Sequence, residues 1–274
     1  MSIPYTWGFV VLCAVQATAV LGPRPSPVVA ALRAHRALGL IPLAAIGGVV
    51  VAIGAQPSLA QDATDLAAIA TPIAALAGLV AFRDRIRVLA LAAPAAYLVA
   101  WKGHGPIADI AVDLLIVGAC ASLAWLTGIV APRAALAVGI VVATIVDVYQ
   151  VLVAEDVQVV AQALHAAAPV ARLPRLQEAL YDGATMGWGD VYLAALLGVV
   201  AASAPLVDRF LAAAATFLGG LVLGFGFVLV DTLPATVPVA VALGLVLLRE
   251  RSRQATLQRS EGGSFDGNDD DAPR

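Results

Sequence analysis

The sequence predicts an all-α membrane protein, a polytopic bundle of nine transmembrane helices, on three observations. Of its 274 residues, 61% are hydrophobic and only 13% charged, and the mean hydropathy is +0.92. A soluble domain carries about a quarter charged residues, so this chain is composed for an apolar solvent. Second, the apolar residues gather into segments close to the roughly 20 residues that a helix needs to cross a bilayer. Third, arginines collect in alternate connections, the asymmetry that orients helices in membranes.

Taken in order, the segments are 6–22, 37–55, 66–82, 87–101 and 107–131, which form an N-terminal five-helix scaffold over residues 1–133. The fourth is short and carries Pro94 in its middle, so a spanning helix and a re-entrant one both stay open. Segments 134–154, 185–206, 210–230 and 232–248 follow as a second unit over 134–248. The remainder, 249–274, is polar and poor in apolar residues, and is expected to be a disordered tail. With the first connection inside, the cytoplasmic face collects Arg24, Arg33, Arg36, Arg83, Arg85, Arg87, Arg133, Arg209, Arg249, Arg251 and Arg253. The other face keeps Lys102, Arg172 and Arg175. The expected orientation is therefore N-terminus outside and C-terminus cytoplasmic, in the cell membrane.

Several function classes drop out. The net charge is −3, with much of the acid in the last few residues, which offers no electrostatic case for nucleic acid. Cys13 and Cys120 sit in apolar runs as small hydrophobes. His35, His104 and His165 are scattered, so no metal or other cofactor is expected.

Ionisable groups at membrane depth are costly and mark function. Asp109 and Asp113 open the fifth segment, near the outer interface, where water reaches a helix start. Asp147 in "ATIVDVYQVLVA" and Asp190 in "GWGDVYLAALLG" are different. By helix rise they are expected roughly 10 Å and 8 Å below the outer face, on antiparallel neighbours. Gly187 and Gly189, around Trp188, remove bulk beside Asp190 and admit a neighbouring or substrate backbone. "DTLPATVPVAVALG", with Pro234, Ala235 and Thr236, puts irregular backbone at the same face, where a peptide is held extended.

Together these residues resemble the presenilin and signal-peptide-peptidase group of intramembrane aspartyl proteases. Gly187, Trp188, Gly189 and Asp190 match the G-x-G-D motif of that family, and Asp147 takes the place of its first aspartate. Asp147 follows Val146 where the family has tyrosine, and Thr236 replaces the leucine of the Pro-Ala-Leu motif. The resemblance covers roughly residues 134–248 and implies a presenilin-like nine-helix bundle. It further implies Asp147 and Asp190 as the catalytic pair. Gly187, Trp188, Gly189, Pro234, Ala235 and Thr236 then touch substrate, a transmembrane helix or membrane-bound peptide in the lipid bilayer. "GDVYLAALLG" is also similar to the second motif of prepilin peptidases, although Tyr192 stands where those enzymes usually have lysine. A third reading is a proton-coupled small-solute transporter using the same two aspartates.

Overall fold

The structure, a computed structural model, describes residues 7–22, 48, 51–82, 91–154, 156–170, 173–224, 226 and 234–262. Segment 37–55 lies mostly outside these residues, as do the connections 23–36 and 83–90 and the end of segment 210–230. The chain is mostly helical. Three helices are long and apolar enough to cross a membrane among the described residues: Pro106–Val130, Arg133–Leu152 and Leu206–Gly224.

In chain order the helices are α1 (Trp7–Val20), α2 (Leu59–Phe82), α3 (Ala92–Lys102), α4 (Pro106–Val130) and α5 (Arg133–Tyr149). A π-helical turn, Gln150–Ala154, extends α5, and α6 (Asp156–Ala166) follows. Then come strands β1 (Glu178–Tyr181) and β2 (Ala184–Gly187), and helices α7 (Trp188–Val200), α8 (Leu206–Gly224) and α9 (Val237–Gly262). In the weakest predicted span, α3 supplies only 11 helical residues before Gly103 ends it.

α7 is buried on nearly every side, through Val191, Tyr192, Ala194–Gly198 and Val200, which is the pattern of a central helix. It packs on α1, α4, α5 and α9, and α4 also receives α2 and α3. Small residues set the closest crossings. A Cβ on Gly198 would stand 2.5 Å from the Val20 carbonyl oxygen, so α1 and α7 touch backbone to backbone. On the α4–α7 seam, Thr127 Oγ1 and the Tyr192 hydroxyl form a buried hydrogen bond at 2.7 Å.

Three expectations are corrected. The fold is not wholly helical, because residues 178–187 form an antiparallel hairpin. Its two-residue turn has positive φ at Asp182 (48°) and Gly183 (80°), the conformation that Asp-Gly adopts to match strand twist. Consequently segment 185–206 is not one helix: its first residues are strand, α7 begins at Trp188, and a 3-10 turn closes it at Ala201–Ser203. Finally, α9 continues to Gly262 where disorder was expected from residue 249.

That extension has partners. Arg249 and Arg253 both pair with Asp208, a carboxylate only 3% exposed at the start of α8. Glu250 meets Arg133 at 2.7 Å, and this hydrogen bond holds its carboxyl below the usual carboxylate range. Arg133 Nε also donates to the Val200 carbonyl (2.8 Å), and Arg209 Nη2 donates to those of Leu21 (3.2 Å) and Gly22 (2.6 Å). Buried helix ends expose carbonyls that need donors, and these arginines supply them. Arg133, Arg209, Arg249 and Arg253 therefore gather at one end of the bundle, where α1 and α7 finish and α5 and α8 begin.

Candidate active site

Asp147 and Asp190 stand at the opposite end. On α5 the buried residues Leu136, Ile140 and Thr144 recur every four positions, and Asp147 and Val151 continue that inward stripe. Asp147 thus points at the bundle from the last α-helical turn, just before the π-helical segment. Such segments accompany functional sites often enough to be a second pointer.

Asp190 reaches the same place from the other side. It lies in the first turn of α7, two residues after Trp188, rather than five residues into a longer helix. From this position, three after the N-cap Gly187, its carboxylate reaches back to the Gly187 backbone N–H. That is the reciprocal half of a capping box, with aspartate in the glutamate place. The arrangement explains Gly187, since a Cβ there would sit 3.0 Å from Asp190 Oδ2. Gly189 has a different setting: a Cβ on it would meet nothing within 4 Å. Among the described residues no neighbouring helix packs against it.

The two aspartates are close enough for the charge of Asp147 to act on Asp190. Both are half-buried. The carboxylate of Asp147 is fixed by Thr236, whose Oγ1 and backbone N donate to Oδ2 at 2.6 Å and 3.4 Å. Thr144 Oγ1 reaches the Thr236 carbonyl at 3.5 Å, keeping this turn against α5. Pro234 and Thr236 are buried and Ala235 is half-buried. Of the three, Thr236 is the one that bonds a carboxylate, that of Asp147. The Pro234 carbonyl accepts from Val237 N at 3.2 Å and so helps to start α9.

Trp188 stacks on Tyr192 with ring centroids 6.4 Å apart, and its carbonyl receives the Cys120 thiol at 3.7 Å. Its indole N–H is buried with no hydrogen-bond partner among the described residues. The motif is thus keyed into α4 through both Cys120 and the Tyr192–Thr127 pair.

Residues outside the predicted set complete the site. Gln16 of α1, 1% exposed, donates Nε2 to the carbonyls of Ala235 (2.8 Å) and Asp190 (3.4 Å). Asp113 is buried, where its place near a helix start predicts access to water, and accepts the Leu180 N–H of β1 at 3.1 Å. It anchors the outer edge of the hairpin that leads into Asp190. Farther out, the connector is tied down by Val170 N to Asp65 (2.8 Å), Gln61 to the Ala168 carbonyl (2.7 Å), and His165 to Glu178 (3.1 Å).

The arrangement joins two carboxyl groups, a fixed donor set on one of them, and open space beside the other. Among the described residues no three His, Cys, Asp or Glu side chains gather as a metal site. No family model matches the sequence, and neither a curated protein nor a solved structure matches this chain.

Proposed function

We propose that this chain is an intramembrane aspartyl protease in which Asp147 and Asp190 hydrolyse peptide bonds of transmembrane helices or membrane-bound peptides. The observation that carries the reading is the convergence of the two aspartates from separate helices, Asp147 held by Thr236 and Asp190 by the Gly187 N–H. Two carboxyl groups that interact in low dielectric titrate as a coupled pair sharing one proton. The ionised carboxylate takes a proton from a water as its oxygen bonds to the scissile carbonyl carbon. The protonated carboxyl donates to the carbonyl oxygen, giving a tetrahedral intermediate. The C–N bond then breaks as its nitrogen receives the proton taken from water, and the re-forming carbonyl returns the other proton to the dyad.

A helix hides its carbonyls in internal hydrogen bonds, so a substrate has to be extended at the cut. The β2 edge at Thr185 is exposed and leads through Gly187 into Asp190. Strand addition to such an edge would hold a peptide extended beside the dyad. The open space at Gly189 supports the same path.

The topology belongs to the same proposal: nine crossings, N-terminus outside, C-terminus cytoplasmic, in the cell membrane. The gathering of Arg133, Arg209, Arg249 and Arg253 at one end, opposite the dyad, supports it. The activity test is detergent-purified protein incubated with a panel of transmembrane peptides, with Asp190→Asn as the control; absence of Asp190-dependent cleavage argues for the transporter reading. The orientation test is Val170→Cys in a background lacking Cys13 and Cys120. Val170 is 60% exposed, and the proposed topology puts it outside. A membrane-impermeant thiol reagent is expected to label it in intact cells. Labelling only after lysis would overturn the orientation and favour a prepilin-peptidase-like site facing the cytoplasm.

A further inference from the structure

Gln16 is an amide buried inside the apolar run "LCAVQATAV" of α1, a helix that contributes no carboxylate to the dyad. Burying an amide without partners is costly, and Gln16 meets that cost with two long-range hydrogen bonds. Both acceptors are backbone carbonyls of the elements that carry the dyad. One is the carbonyl of Asp190 itself (3.4 Å); the other is that of Ala235 (2.8 Å), whose next residue, Thr236, holds Asp147. A single amide nitrogen therefore bridges the backbone of Asp190 and the turn that holds Asp147.

The helix beneath that nitrogen is well fixed. Gly198 brings the α7 backbone against Val20, and a Cβ on Gly220 of α8 would lie 2.8 Å from Cys13 Sγ. Arg209 grips the α1 end through the Leu21 and Gly22 carbonyls. α1 is thus a strut held along its length, with Gln16 as its point of contact with the dyad supports.

We propose that Gln16 is a positioning residue that sets the separation of Asp147 and Asp190. The inference rests on the protease reading, because it assigns α1 a task in that reaction. Misplacement of a reacting group by about 1 Å costs on the order of 100-fold in rate. Methionine has the length of glutamine but no donor, so Gln16→Met removes both hydrogen bonds and keeps the volume. Asparagine keeps the amide with a shorter reach, and retains at most one bond.

The experiment measures kcat and KM for a cleaved transmembrane peptide, normalised to folded protein by gel filtration and circular dichroism in detergent. Gln16→Met is expected to lower kcat by about 100-fold with KM within about twofold of wild type, and Gln16→Asn to fall between them. A merely structural Gln16 would lower the folded fraction and leave kcat per folded molecule unchanged. If both variants keep kcat within about threefold of wild type, the positioning role is wrong. Failure of the protease reading is distinct, since wild type would then show no Asp190-dependent cleavage at all.

Discussion

Asp147→Asn and Asp190→Asn are each expected to reduce peptide cleavage by about 1,000-fold, the scale of a lost general acid or base. The proposed reaction needs one proton shared between two oxygens of different side chains, and an amide can neither take a proton from water nor return one. The two losses should not add, because a dyad acts as a unit. The double variant should therefore be no slower than either single one. Folding should survive both changes, since asparagine preserves the shape and still accepts at its oxygen, from Thr236 or from Gly187. Thr236→Val gives a graded comparison. It deletes the 2.6 Å hydroxyl bond to Asp147 and leaves the carboxylate in place, so a loss of about 10–100-fold is expected. Cleavage assays on the three single variants and the double read all of this. Substantial activity in either asparagine variant would remove that residue from the mechanism.

Gly198→Val is expected to be strongly destabilising. The added Cβ would stand 2.5 Å from the Val20 carbonyl oxygen and 3.1 Å from its carbon, and backbone cannot swing aside as a side chain can. Overpacking of this kind costs about 1–3 kcal/mol and forces α1 and α7 apart. Both helices lead to the dyad, so activity should fall together with the thermal midpoint. Gly139→Val is the matched control, because that glycine on α5 has nothing within 4 Å of its would-be Cβ. A thermal shift assay in detergent should show a midpoint several degrees lower for Gly198→Val only, at about 2–4 °C per kcal/mol. Equal midpoints for the two variants would mean that the α1–α7 crossing is not tight.

Much of the bundle is legible from apolar run length, and both aspartates from the cost of a carboxylate in such a run. Thr236 and Pro234 are readable as a break before α9, though their contact with Asp147 is not, because it joins residues far apart in sequence. The hairpin escaped for a different reason. Its strands are four residues each, and the Asp182-Gly183 turn signal is swamped by the long apolar pattern after it. The helical extension past residue 248 escaped because composition alone reads Arg249, Glu250 and Arg253 as solvated. Their partners, Asp208 and Arg133, lie on other helices. Gln16 was visible as an amide in an apolar span, but a search for ionisable groups passes over it.

The hairpin has a consequence for the lipid around it. Because strand replaces the first turn of the predicted span, α7 has only 13 residues, about 20 Å of helix against a hydrocarbon layer of about 30 Å. Backbone outside a regular helix tolerates that depth only when protein or water covers it. On the proposed topology, a short α7 at the centre leaves the hairpin at hydrocarbon depth, where the bilayer thins or water enters unless protein covers it. Mismatch costs fractions of a kcal/mol per ångström, so under the proposed function membrane thickness would tune turnover. Vesicles of shorter acyl chains should support faster turnover than thick ones, and indifference to chain length would show that the protein alone shields the gap.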